Sequence, residues 1–357
     1  MHEIVSMKSR IKEIGDAEFD LGPMLKRSLS NVLSVFLSGE QINDCDNVDI
    51  FWDFNEAFDF ITSPKANAVY TVAYFMRFLP GQYRDKFQDI MTARERIHEK
   101  YFFHIKETHE RGKIRGYVDF LLDEQASQHE SGNDVLLTEE TIKAMLQEVI
   151  IAGFITTFST LSNLFLCLMN HPNYQRKAQE ELNEVVGNKR LPTLDDRRNC
   201  PFIEAVVMET LRYLTTALYG VPHTNETSLE FEGFQIPAWS NVFANLWFIH
   251  HDERIWGDPW TFRPERFLDD KGQLLERGHV FIKSLIPFSV GRRQCIGETF
   301  ARSRMFLYIA SLLQQWTFIP SPDKVGSCDP RKGDFEINTM IRKPTLFCTV
   351  EGRETDV

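Results

Sequence analysis

The sequence predicts a mainly α-helical fold with small β-sheets, and three observations carry this prediction. Apolar residues recur at helical spacing in the N-terminal part, as in residues 25–37. A long apolar helix is predicted from Thr138, a threonine placed to cap it ahead of two glutamates, to about Asn170. Apolar and polar residues alternate from Thr227 to Val242, which favours a small β-sheet.

The remaining elements follow in chain order. Residues before 125 read as successive helices, including a long charged one from Tyr83 to about Arg111. After the long apolar helix we expect an amphipathic helix to Val186, a helix over residues 201–214, an irregular connector over residues 255–267, a helix from Gly297 to about Gln315, and strands at 335–340 and 346–350.

The long apolar helix also satisfies the length criterion for crossing a membrane. Its apolar stretch, Val149 to Met169, is interrupted by several threonines, serines and an asparagine. Because a helix that is apolar on all sides is equally typical of the core of a large protein, we interpret it as a core helix.

Length and composition limit the function classes. The chain has 357 residues, 43% of them hydrophobic, and no Gly/Ser/Pro-rich linker, so a single domain over residues 1–357 is predicted. The net charge is −11 and no basic tract stands out, which argues against nucleic-acid binding. The six cysteines show no paired spacing, and apart from Cys295 they are interpreted as reduced packing thiols.

The segment Pro287 to Gly297 carries the clearest chemical signal. It holds Cys295 between two glycines and beside two arginines, and Gly291 is expected to adopt a positive φ and tighten a turn. Backbone N–H groups and nearby guanidinium groups stabilise a thiolate, which is the form of cysteine that binds metal. Phe288 is expected to keep water from the sulfur, and Gly297 to let a flat ligand approach the backbone. A single thiolate without further cysteines suits an axial ligand of haem iron rather than zinc or an iron–sulfur cluster.

This segment reads Phe-x-x-Gly-x-Arg-x-Cys-x-Gly and resembles the haem-binding loop of the cytochrome P450 family, most closely its microsomal branch. The resemblance implies the fold of that family, haem b (iron protoporphyrin IX) bound through Cys295, electrons from NADPH through an NADPH–cytochrome reductase, a lipophilic substrate and a place on the cytosolic face of the endoplasmic reticulum membrane. It also implies that the family's N-terminal anchor and first helices are absent, so that the fold is expected to be N-terminally incomplete. The aromatic segments at 51–60 and 69–81 are then either a roof over the substrate that dips into the membrane surface or an ordinary core cluster.

Two further groups of residues take roles from the resemblance. Glu209 and Arg212 lie three residues apart on one predicted helix face, and the family pattern adds Arg266 to form a buried fork beneath the haem loop. Arg293 and His223 are the candidates for binding the haem carboxylates, although a polar residue at a strand edge is the alternative interpretation of His223.

The long helix carries the residues expected on the other face of the haem. Its sequence Ala152 to Thr156 resembles the family pattern Ala/Gly-Gly-x-Asp/Glu-Thr, in which Ala152 lies against the haem, Gly153 leaves room for dioxygen and Thr156 donates a proton or bonds to the helix backbone. Ile155 replaces the usual acid, which weakens proton delivery unless water or Thr157 substitutes. Substrate contacts are expected from apolar side chains, with core packing as the alternative: Phe154, Ile155, Leu218, Tyr219, Val221 and residues 339–341.

Three functional hypotheses result. The first is a haem-thiolate monooxygenase that inserts one oxygen atom from O2 into a lipophilic compound. The second keeps the haem without oxygen activation, as an isomerase or dehydratase of oxygenated lipids; Ile155 favours it and Thr156 argues against it. The third is a shortened, non-catalytic homologue.

Overall fold

The computed structural model describes residues 1–42, 45–131, 136–321, 323–332, 335–337, 340–342 and 345–353. The chain forms two compact units. The N-terminal unit comprises residues 1–14 and 20–158, and the C-terminal unit comprises residues 15–19 and 159–357. The single-domain organisation stays a prediction.

The N-terminal unit is helical. Its helices are α1 (His2–Ile14), α2 (Leu21–Ser38), α3 (Cys45–Thr62), α4 (Pro64–Val72), α5 (Gln82–His98), α6 (His104–Glu107), α7 (Tyr117–Glu130) and the first part of α8 (Glu139–Asn170). A two-residue strand, β1 (Phe19–Asp20), precedes α2, and one π-helical turn, Glu99–Phe103, joins α5 to α6. The predicted charged helix is therefore one continuous helical run that ends at Glu107.

Helix α2 shows how local sequence sets an element in this unit. The Asp20 carboxylate accepts the N–H of Gly22 at the start, and Gly39 ends the helix in the left-handed region at φ 78°. Its leucines at positions 25, 29, 33 and 37 are each no more than 1% exposed, as a spacing of four on one helix face requires.

Helix α8 begins and ends where the sequence predicts. Thr138 Oγ1 accepts the N–H of Thr141 at 3.1 Å, which confirms the predicted cap. In the described part of the chain this is the helix long and apolar enough to cross a membrane, and 72% of its most apolar window is buried in protein.

In the residues that the structure describes, the C-terminal unit contains the rest of α8 and six further α-helices. These are α9 (Pro172–Val185), α10 (Pro201–Tyr213), α11 (Leu246–His250), α12 (Glu253–Trp256), α13 (Val280–Ser284) and α14 (Glu298–Gln315). The predicted ends of α9, α10 and α14 agree with the structure to within about one residue. The predicted irregular connector contains α12 residues at its start and a short 3-10 turn, Pro264–Phe267, at its end.

The sheets of the C-terminal unit are small and antiparallel. Its strands are β2 (His223–Thr224), β3 (Leu229–Phe231), β4 (Phe234–Ile236), β5 (Asn241–Val242), β6 (Trp316–Pro320), β7 (Glu336–Ile337), β8 (Ile341–Arg342) and β9 (Phe347–Gly352). The pairs are β2 with β5, β3 with β4, β6 with β9 and β7 with β8, and Phe19 of β1 belongs to this unit beside β9. The predicted mainly helical fold with small β-sheets is confirmed.

One core cluster of the C-terminal unit positions the cysteine segment. Trp256 of α12 packs with Ala205 and Met208 of α10, with Phe267 of the connector and with Leu285. Since Leu285 lies two residues before the cysteine segment, burial of its side chain ties the start of that segment to α10.

Candidate functional site

The cysteine segment and the residue before it, Ile286, form a backbone-bonded loop, which we call the cysteine loop. The Cys295 N–H donates to the Phe288 carbonyl at 2.8 Å, and the Ser289 N–H donates to the Ile286 carbonyl at 3.0 Å. Gly291 has φ +82°, as predicted, and nothing lies within 4 Å of the position a Cβ would take. The backbone angle, rather than lack of space, therefore favours glycine at this turn.

Cys295 differs from the other cysteines in its exposure. Its thiol side chain is exposed, whereas the other cysteines whose side chains are described, at positions 167, 200, 328 and 348, are buried. The neighbouring Ile296 is fully exposed, and Val290 is 63% exposed. The loop thus presents one sulfur beside two exposed apolar side chains. The burial of the four other cysteines agrees with their interpretation as packing thiols.

The Phe288 side chain contacts helix α14. The guanidinium of Arg302 lies 4.9 Å from the Phe288 ring centre, and Arg302 Nε donates to Glu298 Oε1 at 2.8 Å. The ring is therefore held against α14, and the expectation that it keeps water from Cys295 stays a prediction. Its contact with a cofactor stays a prediction.

Helix α10 carries a buried carboxylate that collects several donors. Glu209 Oε1 accepts from Arg212 Nη2 at 2.9 Å, from the Arg263 backbone N–H at 2.8 Å and from Arg266 Nε at 3.1 Å. Glu209 Oε2 accepts from Arg212 Nε at 2.8 Å. The side chains of Glu209, Arg212 and Arg266 are 0% exposed, so the structure brings the three into one buried fork.

The two arginines of the fork also bond to backbone carbonyls. Arg266 Nη1 donates to Trp256 O at 3.1 Å, and its Nη2 donates to Thr261 O at 3.0 Å. Arg212 Nη1 donates to the His250 carbonyl at 2.9 Å. A buried guanidinium needs partners for its five N–H groups, and these carbonyls supply them from the connector and from α11.

His250, which the sequence analysis did not single out, extends the fork to the cysteine loop. Its ring is 0% exposed, its Nε2 accepts the Ile286 N–H at 3.1 Å, and its Nδ1 lies 3.0 Å from Thr215 Oγ1. Burial, with the charges of His251 and Arg212 acting in the same direction, lowers the pKa of His250 to about 3. The ring is therefore neutral at neutral pH.

The two candidates for haem carboxylates lie in the C-terminal unit. Arg293 ends a short 3-10 turn, Gly291–Arg293, and is exposed. His223 pairs with Val242 at a strand edge and is exposed. Both side chains are exposed and therefore accessible to a ligand. The alternative interpretation of His223, a polar residue at a strand edge, agrees with the position of its backbone.

The residues expected to handle oxygen lie on successive turns of α8, in the N-terminal unit. Thr156 Oγ1 donates to the Ala152 carbonyl at 2.6 Å, and Thr157 Oγ1 donates to the Gly153 carbonyl at 3.2 Å. Of the two predicted uses of Thr156, the structure shows the bond to the helix backbone. A Cβ added at Gly153 would meet Leu33 Cδ1 at 3.8 Å, which is ordinary contact.

The predicted substrate residues fall into two groups. Phe154 is fully buried in the N-terminal unit, with its ring centre 6.2 Å from Phe51 and 6.4 Å from Trp52, and Ile155 is 2% exposed. In the C-terminal unit, Leu218 is buried, whereas Tyr219 and Val221 are 48% and 77% exposed. Substrate contact remains a prediction for these five residues.

The tail segment is brought beside the second group. Met340 pairs with Ala217, and the Ile341 N–H donates to the Thr216 carbonyl at 3.1 Å. Leu218, the next residue along, accepts the N–H of Trp247. Thr339 lies outside the described residues.

The donor set at Cys295 fits a haem-thiolate site. Within the described residues, no group of three or more His, Cys, Asp or Glu side chains is placed to hold a metal ion, so Cys295 offers iron one sulfur ligand. A Cβ at position 297 would lie 3.8 Å from the Cys295 Sγ, so Gly297 keeps the space beside the sulfur open. Apolar Ile296 and basic Arg293 are exposed on the same loop, as a haem face and its carboxylates require.

Comparison with known proteins gives the family. The family model described as Cytochrome P450 matches residues 2–347. The chain belongs to the cytochrome P450 family. The mainly helical P450 fold predicted from the loop motif is thereby confirmed.

Its P450 relatives include proteins named Cytochrome P450 1A1. The chain is 32% identical to that of Rattus norvegicus over 92% of its own length and 62% of the relative's length. It is 34% identical to that of Felis catus, covering 84% of the chain and 57% of the relative. The corresponding values for Canis lupus familiaris are 36%, 70% and 48%. The chain therefore spans about half to three fifths of the length of these relatives.

Proposed function

We propose that the protein is a haem-thiolate monooxygenase that inserts one oxygen atom from O2 into a lipophilic organic substrate. The observation that carries this proposal is the exposed thiol of Cys295, held on a loop whose Cys295 N–H is bonded to Phe288 O. Family membership supports the same chemistry, since thiolate ligation of haem iron favours O–O cleavage. When bound, the haem supplies dioxygen activation and oxygen transfer.

The chain's own residues hold and orient the cofactor in this proposal. Cys295 ligates the iron, Arg293 and His223 bind the haem carboxylates, and Gly297 leaves room for the flat ring. A guanidinium binds a carboxylate through two parallel hydrogen bonds, and the exposed side chain of Arg293 is free to move into that position. Glu209, Arg212 and Arg266 have a structural role, since they fix the segments that support the loop.

The substrate assignment rests on the apolar character of the predicted contacts. In the C-terminal unit, the backbone of Met340–Ile341 lies against Thr216 and Ala217, next to Leu218. These residues and the exposed Val221 would present an apolar wall, which suits a lipophilic compound. We assign oxygen handling to Gly153 and Thr156 by the family pattern.

The electron donor proposed is an NADPH–cytochrome reductase. Arg292 and Arg293 are exposed on the loop that carries Cys295, although the whole chain has a net charge of −11. A local basic patch on an acidic protein is suited to docking an acidic partner, and such docking weakens with salt. Reduction by the reductase should therefore slow as ionic strength rises, and faster reduction at high salt would contradict this docking face.

We place the protein on the cytosolic face of the endoplasmic reticulum membrane. The end of α4 and the segment after it support membrane contact, because Val72, Phe75 and Phe78 are 84%, 52% and 65% exposed and so do not form a core cluster. By contrast, Phe51 and Phe54 are buried in the core. Phenylalanine side chains exposed next to one another are typical of a surface that meets lipid.

Vesicle binding tests this surface. Phe75→Ser with Phe78→Ser should reduce co-sedimentation of the full chain with neutral phosphatidylcholine vesicles severalfold, because two apolar anchors are lost. Phe120→Ser is the matched control, since Phe120 is 49% exposed on α7 of the same unit. An equal loss with the control, or no loss with the double variant, would reject the assignment.

The spectrum of the reduced, carbon monoxide-bound protein tests the proposed function. The full chain supplied with haem should show a Soret band to the red of ordinary haem proteins, because the proximal ligand is a thiolate. Cys295→Ser should abolish that band. Cys348→Ser makes the same replacement at a buried cysteine of β9 and should preserve the band. A red-shifted band that survives Cys295→Ser would end the proposal.

A second function, isomerisation or dehydration of oxygenated lipids, is favoured by one contact. The Thr156 hydroxyl donates to Ala152 O, and Ile155 in place of the acid gives no proton route at that position. NADPH consumption by the protein with the reductase, measured with a panel of lipophilic substrates, separates the two. Substrate-dependent NADPH consumption with oxygenated product supports the monooxygenase, whereas product formation without NADPH supports the isomerase.

A further inference from the structure

His250 links the buried fork on α10 to the first residue of the cysteine loop. Its carbonyl accepts from Arg212 Nη1 at 2.9 Å, and its ring Nε2 accepts the backbone N–H of Ile286 at 3.1 Å. Ile286 in turn accepts the Ser289 N–H, at the turn that precedes Cys295. These contacts lie within the C-terminal unit, and no interaction in the proposed mechanism uses the His250 ring.

The partners of the ring fix its protonation. A backbone N–H can only donate, so Nε2 must carry a lone pair, and the neutral ring then carries its hydrogen on Nδ1. That Nδ1–H donates to Thr215 Oγ1, whose hydroxyl donates to the Arg212 carbonyl at 2.7 Å. The hydrogen bonds therefore run in one direction, from the Ile286 N–H through His250 and Thr215 to Arg212 on α10.

The geometry leaves few substitutes for this ring. Its site is fully buried, so loss of the ring nitrogen leaves the Ile286 N–H without its partner. Thr215 has φ +33°, an unfavourable angle for threonine, and its side chain is bonded on both sides. A residue at 250 must accept at one end and donate at the other to keep both neighbours bonded.

We propose that His250 is a positioning residue that sets the place of the Cys295 sulfur through the Ile286 N–H. It acts by fixing the first residue of the loop relative to α10, and it touches neither substrate nor cofactor. This inference rests on the proposed function in one respect, namely that Cys295 is the haem ligand.

Amide hydrogen exchange of the full chain without haem is the first test. His250→Phe keeps a ring but removes the acceptor, so protection of the Ile286 amide should fall about tenfold, the effect of one ordinary hydrogen bond. The loop through Gly297 should lose protection with it. His250→Gln offers an acceptor and a donor, and it should restore most of the protection.

The matched control is the neighbouring residue. His251 is also buried, and its ring lies near the carbonyls of Trp247 and Tyr213 rather than near the loop. His251→Phe should leave the exchange of Ile286 close to that of the wild type. Equal loss of protection in both variants would show general destabilisation and overturn the proposal, as would unchanged exchange in His250→Phe.

The carbon monoxide spectrum of the haem-loaded protein is the second test. His250→Phe should lower the fraction of haem with the red-shifted Soret band, and His250→Gln should recover it. If Cys295→Ser keeps the band, the proposed function fails, while the hydrogen-exchange result still tests the link between His250 and Ile286. If Cys295→Ser loses the band and His250→Phe shows the wild-type fraction, the positioning role fails alone.

Discussion

Glu209→Gln is the substitution whose effect on stability follows most directly from the structure. The Glu209 carboxylate accepts from two groups of Arg212, from the Arg263 N–H and from Arg266 Nε, and the side chains of the fork are fully buried. Glutamine keeps the side-chain volume but carries no charge, and its NH2 group, a hydrogen-bond donor, faces the N–H donors that the carboxylate oxygen accepts from in the wild type. Arg212 then loses its buried carboxylate partner, while Arg266 keeps the Asp258 carboxylate, 44% exposed, at 3.3 Å. Removal of one partner of a buried pair typically costs about 3–5 kcal/mol.

Equilibrium unfolding in urea of the full chain measures this change, followed by tryptophan fluorescence. Trp256 is a suitable probe, since the guanidinium of Arg212 lies 5.3 Å from its ring. The midpoint should fall while the slope with urea stays constant, because the surface exposed on unfolding is unchanged.

The control is another glutamate paired with an arginine on a neighbouring helix. Glu180 accepts from Arg176 Nη1 at 2.7 Å on α9, but these side chains are 54% and 64% exposed. Exposed ion pairs contribute little to stability, so Glu180→Gln should change the unfolding free energy by only about 0.3–0.5 kcal/mol. A loss below about 1 kcal/mol for Glu209→Gln, or equal losses in both variants, would refute the argument from burial.

Two further predictions concern the N-terminal unit. Gly153→Ala should raise the unfolding free energy by up to about 1 kcal/mol, because alanine favours the helix interior and, among the described residues, the new Cβ meets Leu33 Cδ1 at an ordinary 3.8 Å. Lower stability in urea would contradict this, and a fall in turnover alongside higher stability would support the predicted space for oxygen. Although burial acts in the opposite direction, hydrogen bonds from Arg115 and His109 lower the pKa of Asp119 from 3.8 to about 2. The stability that Asp119 contributes is therefore present above pH 4 and lost as pH falls towards 2. The difference in unfolding free energy between wild type and Asp119→Asn should shrink by about 1 kcal/mol between pH 5 and pH 3. A constant difference would show that Asp119 does not titrate as its contacts require.

The elements that the sequence predicts best are those specified by neighbouring residues. Thr138 caps α8 by accepting the N–H of a residue three positions away, and Gly291 takes the positive φ that its place in a tight turn requires. Such interactions span a few residues, so spacing and residue type are enough to predict them.

Contacts between distant residues are a different case. Glu209 and Arg266 are 57 residues apart, and only the family resemblance placed them together. His250 stayed unnoticed because a histidine beside Trp247 and Ile249 is typical of a core position, and its role depends on an N–H 36 residues further along. Likewise, the aromatic segments at 51–60 and 69–81 have similar compositions, yet Phe54 is buried and Phe78 is exposed.

The buried fork on α10 is better explained by its effect on the position of neighbouring segments than by its contribution to stability. Taking Glu209 and the two guanidinium groups out of water carries a large desolvation cost, and apolar residues of similar volume often pack there with equal stability. Apolar contacts, however, have no direction and would not fix one segment against another. Glu209 fixes the connector through the Arg263 N–H and the Arg266 guanidinium. Arg212 fixes α11 through the His250 carbonyl. The His250 ring fixes the start of the loop through the Ile286 N–H. Because a haem ligand must sit within a fraction of an ångström of its working position, the loop that carries it needs directional bonds at its start. The hydrogen bond from the Ile286 N–H to the His250 ring is one of them, and His250 is tied to α10 through Arg212.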